Sequence, residues 1–142
     1  IGDGNVFREA KDFLKKHSLE RYISLLGWKK EEEILDFLAK SDIFVLPSWA
    51  EGFPNSVIEG MATGNAVIAT KVGAIPDILI HNQSCLLVNP KDQDELNNAL
   101  ELLISDENLI KKLAENAVIF ADSNFSEHKS LTRLRSCIEE II

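Results

Sequence analysis

Two glutamates eight positions apart, Glu51 and Glu59, frame the stretch of this chain whose residue types could do chemistry. Gly52, Phe53, Pro54, Asn55 and Ser56 follow the first of them. Glycine lets a backbone approach a ligand closely, and proline fits the first turn of a helix, where its missing N–H costs nothing. A helix opening here leaves the amides of Asn55, Ser56 and Val57 pointing outward, which suits a phosphate or diphosphate. A carboxylate beside bound phosphate is repelled by it. Glu51, just ahead of the helix, and Glu59, inside it, therefore read better as acceptors for hydroxyl groups. Sugars and riboses offer hydroxyls in vicinal pairs that one carboxylate can accept together. The chemistry suggested is recognition of a sugar joined through diphosphate to a nucleoside. Spacing alone carries little, since Glu107 and Glu115 repeat it inside what reads as a surface helix. Context sets the first pair apart, with a buried strand before it and an amphipathic helix after. On its residues alone, Glu59 is also open to a plain solvated helix position.

Such a loop needs elements to hold it. Short apolar runs at 22–26, 43–46, 66–70 and 85–88 show little polar alternation, as expected for strands covered on both faces. Between them, apolar residues recur at helical spacing over 6–17, 31–39 and 55–63. In the final third, Asp92 or Asp94 caps a helix to about residue 104 and Asp106 a second to about 121. Ser126 caps a third that ends at 142 and carries an apolar stripe. Phe13, Phe37 and Phe44 lie on apolar faces and are expected in the core. The pattern predicts an α/β fold, a Rossmann-like parallel sheet flanked by helices with a helical C-terminal third. Ligands in such sheets bind beyond the carboxyl ends of the strands, so the loops after Leu26, Leu46 and Thr70 are the ones to inspect.

At 142 residues, 45% apolar and 27% charged, the chain has the composition of one ordinary globular domain. Its net charge of −8 and the small size of its basic groups, Lys15-Lys16 and Lys29-Lys30, argue against nucleic acid as a partner. Cys85 and Cys137 lie far apart, which fits reduced thiols and a cytoplasmic setting, with Cys85 a small buried hydrophobe. No apolar run reaches the ~18 residues that span a bilayer. His17, His81 and His128 are scattered, His81 in a polar turn expected to be solvated, and Asp92 and Asp94 read as capping residues, so no metal is expected. The opening Ile1-Gly2-Asp3-Gly4, with Met61 as the sole methionine, is what a piece of a longer protein would show.

The run from Asp42-Ile43-Phe44-Val45-Leu46-Pro47-Ser48 through Glu51-Gly52-Phe53 to Glu59-Gly60-Met61-Ala62-Thr63-Gly64 resembles the donor-site signature of retaining glycosyltransferases of family 4, which have the two-domain GT-B architecture. Gly2-Asp3-Gly4, Leu26-Gly27-Trp28, Val67-Ile68-Ala69-Thr70, Val72-Gly73-Ala74-Ile75-Pro76-Asp77 and Leu86-Leu87-Val88 follow in the family's order, so the resemblance covers essentially the whole chain. It implies that residues 1–142 are part of the C-terminal, nucleotide-sugar-binding domain, with the N-terminal acceptor domain and the first part of this domain missing. By the same resemblance, Glu51 holds hydroxyls of the transferred sugar beside the backbone of Gly52, Phe53 and Pro54. Glu59 holds the ribose, and the diphosphate lies at Asn55 and Ser56. Gly27, Trp28 and Lys29 border the nucleobase, and Thr70 and Gly73 lie near the floor. On its own terms Trp28 serves equally as a stacking surface or a partly buried packing residue.

The resemblance further implies retaining transfer of a hexosyl group, without a metal, from a UDP- or GDP-sugar to a glycan or lipid-linked acceptor. The Pro54-Asn55 pair after Phe53 is similar to enzymes of bacterial surface-polysaccharide assembly. The full-length protein is then expected in the cytoplasm, with peripheral association at the inner face of the membrane. Family members carry an Arg and a Lys ahead of the Gly-Asp-Gly stretch that neutralise the leaving diphosphate. Without them this piece is expected to bind nucleotide weakly and not to catalyse transfer alone. The competing readings are a non-catalytic nucleotide- or sugar-phosphate-binding module on the same fold, and a helical interaction protein.

Overall fold

The computed structural model describes residues 2–126 and 129. The chain divides into two compact units, Ile1–Phe37 and Leu38–Ile142.

In the first unit, α1 (Phe7–Lys16) has Glu9 in its first turn and Lys15 and Lys16 in its last, the charge order that a helix dipole favours. Leu14 is its one buried residue. The strand expected over 22–26 does not form. Tyr22 is 70% exposed, Ile23 and Leu25 are exposed as well, and the extended pairing nearby is a single antiparallel bridge, Gly2 N–H to the Gly27 carbonyl at 2.8 Å. A strand exists only with a ladder to satisfy its amides and carbonyls, and the described residues of this unit supply no second strand. Phe13 and Phe37 also depart from expectation, being 56% and 38% exposed, with Phe13 lying 4.4 Å from the His17 ring. So short a segment has too little apolar surface to enclose them.

The helix α2 (Glu31–Leu38) is capped from within its own first turn. The Glu33 carboxylate accepts from Lys29 Nζ at 2.9 Å and from the Lys30 amide at 3.1 Å. Those two hydrogen bonds, the lysine side chain first, hold its carboxyl below the ordinary 4.5.

The second unit carries the sheet. Strands β1 (Ile43–Leu46), β2 (Ala66–Thr70) and β3 (Cys85–Val88) are parallel in the order β1-β2-β3, pairing Phe44 with Val67 and Ile68 with Leu86. Helix α3 (Asn55–Ala62) joins the first two strands and the short α4 (Ile75–Ile78) the next two. Helices α5 (Gln93–Ser105) and α6 (Glu107–Phe125) follow. Side chains alternate along each strand, and both sets are covered. Val67, Ala69, Cys85 and Leu87 pack with Val57, Met61, Ile75, Ala117 and Ala121, while Ala66, Ile68, Leu86 and Val88 pack with Ala99, Leu103 and Leu113. Continuous apolar runs were therefore the right signal for these strands.

Asp92 caps α5 through the Glu95 amide at 2.9 Å, and Asp106 caps α6 through Asn108 and Leu109, both at 3.0 Å. Helix α6 runs a turn beyond the expected 121, because its last turn has apolar partners: Phe125 stacks against Phe120 and Phe53. Ser126, extended, is the C-cap of α6, and the helix expected to run from it to 142, with its apolar stripe, lies outside the described residues apart from Lys129. Among the described residues no helix is long and apolar enough to cross a membrane.

The outer edge of β3 is closed by its own turn. His81 Nδ1 accepts from the Leu87 amide at 2.9 Å, and the Asn82 amide donates to the Cys85 carbonyl at 2.9 Å. His81 is thus exposed, as expected, yet holds a backbone group that solvent would otherwise satisfy. Cys85 is fully buried, and that burial pushes its thiol from the ordinary 9.0 up to about 12. In the unfolded chain the same thiol ionises near its ordinary value, so the unfolded state holds fewer protons between about pH 9 and 12 and stability falls with rising pH there. Urea denaturation at stepped pH is expected to show this fall, and Cys85→Ala to make it shallower.

Candidate functional site

The carboxyl ends of the strands gather the loops that sequence singled out. After β1 the chain passes Pro47 and Ser48 to Glu51 and enters α3. Thr70, the last residue of β2 and 3% exposed, donates from Oγ1 to the Ser48 carbonyl at 2.6 Å. Ser48 Oγ in turn donates to Glu51 Oε1 at 2.6 Å. Ser48 is thus held to the sheet by its carbonyl and holds the Glu51 carboxylate by its hydroxyl, which fixes the direction of that carboxylate. The remaining lone pairs of that half-buried carboxylate are left to accept from a ligand.

A second tie comes from the loop after β2. Gly73 adopts a left-handed φ of +55°, and a Cβ placed there would overlap the Glu51 carbonyl oxygen and lie 2.7 Å from that of Gly52. The Ala74 amide donates to the Gly52 carbonyl at 3.1 Å. The Glu51–Gly52 segment is therefore clamped between the ends of β1 and β2 at backbone distance, which only glycine allows.

At the start of α3, Pro54 is the N-cap, one position ahead of the helix that was expected to contain it. Its carbonyl accepts from the Val57 amide at 3.0 Å, so Val57 is not one of the free donors. The amides of Asn55 and Ser56 have no partner among the described residues, and no side chain caps them. Two donors at the positive end of a helix dipole suit an anion. Glu59 stands four positions after Asn55, half-buried, with no hydrogen bond to its carboxylate among the described residues. Gly60 lets α3 lie on β1, since a Cβ there would sit 3.0 Å from the Phe44 ring. Phe53 is exposed and stacks on Phe125 at 5.6 Å.

The second unit therefore brings Glu51, Gly52, Phe53, Pro54, Asn55, Ser56 and Thr70 into one loop system, with Glu59 on the helix that leaves it. Gly27, Trp28 and Lys29 belong to the first unit, where Gly27 makes the bridge to Gly2, Trp28 is 69% exposed and Lys29 pairs with Glu33. Sequence reading missed Ser48, whose position three residues before Glu51 was the available signal. It also missed the clamp at Gly73, which no local pattern announces. A pocket of about 310 Å³ opens at the same edge of the sheet, lined by Pro47, Trp49 and Thr70 and by the loop after β3. Glu51 and Glu59 do not line it. Among the described residues, no group of three or more His, Cys, Asp or Glu side chains could hold a metal ion.

A parallel sheet covered on both faces, with an anion-suited helix start at its carboxyl edge, is the architecture of the C-terminal domain of GT-B glycosyltransferases. Solved structures bear this out: HepE (Alr3699) of Anabaena, in complex with UDP, superposes with a TM-score of 0.84 over 94% of this chain and 36% of its own, at 23% identity. The C-terminal domain of LpcC, a glycosyl transferase group 1 family protein of Francisella tularensis, does so with a TM-score of 0.78 at 33% identity, over 84% of this chain and 62% of its own. The family model of glycosyl transferases group 1 matches residues 1–119, and the chain belongs to that family. Among curated relatives, the uncharacterized glycosyltransferase MJ1178 of Methanocaldococcus jannaschii is 36% identical over 141 residues, 99% of this chain and 40% of its own length. The chain covers between 21% and 40% of the length of these curated relatives.

If the Gly73 clamp sets the loop, Gly73→Ala should destabilise the protein by ~2 kcal/mol or more, from left-handed strain and backbone overlap together. Gly52→Ala, whose Cβ meets nothing within 4 Å, should change stability far less. Urea midpoints of the two variants check this; equal effects would contradict the clamp.

Proposed function

We propose that this domain binds a nucleoside diphosphate sugar and, as part of a longer enzyme of glycosyltransferase family 4, transfers the hexosyl group with retention of configuration. Glu51 accepts hydrogen bonds from hydroxyls of the sugar, Glu59 from the ribose, and the amides of Asn55 and Ser56 face the diphosphate. Gly52, Phe53 and Pro54 shape the backbone around the sugar. The observation that carries this reading is the pairing of an uncapped helix start with a carboxylate held in place by Ser48 and Thr70. It sets an anion site and a hydroxyl site side by side, and a sugar diphosphate has that order of groups. The UDP bound by HepE, a protein of the same fold, supports a uridine or related nucleotide as carrier.

In the proposed reaction the bond between C1 of the sugar and the diphosphate oxygen breaks, and a bond from C1 to the acceptor oxygen forms on the same face. The acceptor proton passes to the departing phosphate oxygen. The helix start stabilises charge that grows on the diphosphate, so no metal is called for in the reading. The acceptor is a glycan or a lipid-linked saccharide, in assembly of a bacterial surface polysaccharide, with the full-length protein working in the cytoplasm at the membrane face.

Titration of the chain with UDP and GDP, followed by amide NMR, tests the assignment. Saturable shifts at Asn55 and Ser56 are expected, and Glu59→Ala should weaken binding about tenfold, the loss of a charged hydrogen-bond pair. Glu51→Gln should leave UDP binding intact while removing any extra affinity for UDP-glucose. Nucleotide affinity indifferent to Glu59→Ala would refute the ribose assignment.

A further inference from the structure

The pocket beside the clamp has a composition of its own. Trp49 is 72% exposed, yet it lines a concavity of about 310 Å³. The loop after β3 supplies the facing wall with Asn89, Lys91 and Gln93, and Thr70 lies at the end of β2 between them. Lys91 holds a left-handed φ of +65°, unusual for a residue with a side chain, and its Nζ stands 5.2 Å from the centre of the Trp49 ring. Asn89 is fixed from both ends: its amide donates to Glu95 Oε2 at 2.6 Å, and its Oδ1 accepts from Lys71 Nζ at 3.3 Å. The Gln93 carboxamide has no hydrogen-bond partner among the described residues.

We propose that this pocket takes one ring of the saccharide acceptor, stacked on the indole of Trp49. The inference rests on the glycosyl-transfer reading above. A sugar ring presents weakly positive C–H groups on its faces and hydroxyls around its rim. The negative face of an indole attracts the former, as it already attracts the Lys91 ammonium. Carboxamides and ammonium groups at the rim both donate and accept, or donate alone, to hydroxyls without needing a charged ligand. A phosphate is a poorer match, because Lys71 is already engaged by Asn89 and Glu95, and Asp92 stands in the lining. A membrane surface is a poorer match too, since Trp49 lines a hollow and is not carried on an apolar protrusion. The pocket shares Thr70 with the contacts that hold Ser48, whose hydroxyl orients Glu51, so it opens at the same strand ends as the proposed sugar site.

The test is a titration of the chain with methyl α-D-glucopyranoside and methyl N-acetyl-α-D-glucosaminide, read at the indole N–H of Trp49 with that of Trp28 as internal control. A UDP titration runs beside it. Saturable shifts at Trp49 and at the Asn89 and Gln93 side-chain amides are expected with at least one glycoside. Trp49→Ala should weaken glycoside binding about tenfold or more, Trp49→Phe should retain part of it, and UDP affinity should stay unchanged in both. No response at Trp49 to either glycoside up to about 100 mM would overturn the inference. So would a response at Trp49 to phosphatidylglycerol vesicles or to UDP in place of the glycosides. Glycoside shifts at Trp49 without UDP shifts at Asn55 and Ser56 would uphold the pocket and count against the donor reading instead.

Discussion

The candidate site depends on one close approach of backbone to backbone. Where the loop after β2 passes the loop after β1, Gly73 leaves no room for a side chain, and the Ala74 amide reaches the Gly52 carbonyl. Thr70 makes the same connection one step deeper, through the Ser48 carbonyl. The position of Glu51 is consequently set by two strands, not by its own loop. A carboxylate on a free surface loop would sample many directions and lose the entropy of ordering when it bound a hydroxyl pair. Held by Ser48, it has already lost that freedom on folding.

The sheet can act as a fixed reference because it is covered on both faces. Every residue of β2 and β3 is buried, and α3, α5 and α6 supply the packing. Such interiors resist small displacements, so a loop anchored to strand ends inherits their precision. Asn65 adds to this at the far end of α3. Fully buried, it donates from Nδ2 to the Gly60 and Leu38 carbonyls and joins the helix end to the segment that leads into β1. Its Oδ1 has no partner among the described residues.

Charge at the site is arranged by position more than by number. The chain is acidic overall, yet the amides of Asn55 and Ser56 face outward with no acidic side chain in the first turn of α3. Helices α2, α5 and α6, by contrast, all carry acidic residues in that turn, where they complement the dipole internally. Of these four helix starts, only that of α3 carries no acidic residue in its first turn, which leaves it open for an outside anion.

Much of this was legible in the sequence, for a physical reason. Apolar runs too short and too continuous to be helices reported β1, β2 and β3, because burial on both faces removes polar alternation. Helical spacing reported α3, and aspartate caps the starts of α5 and α6, nearly to the residue, since these are local interactions, while the last turn of α6 was missed. The Glu51–Glu59 frame was visible in the same way. What sequence misjudged was whatever needs a distant partner. Residues 22–26 have strand-forming side chains but no ladder among the described residues, and Phe13 and Phe37 lie on apolar faces that the fold encloses only in part. Pro54 fell one position ahead of the helix expected to contain it, and its carbonyl takes the Val57 amide that was expected to be free. The Ser48–Glu51 contact, the Gly73 clamp and the hollow under Trp49 were decided only by the tertiary structure, because each forms where loops from different strands meet, and no local pattern records which loops those are.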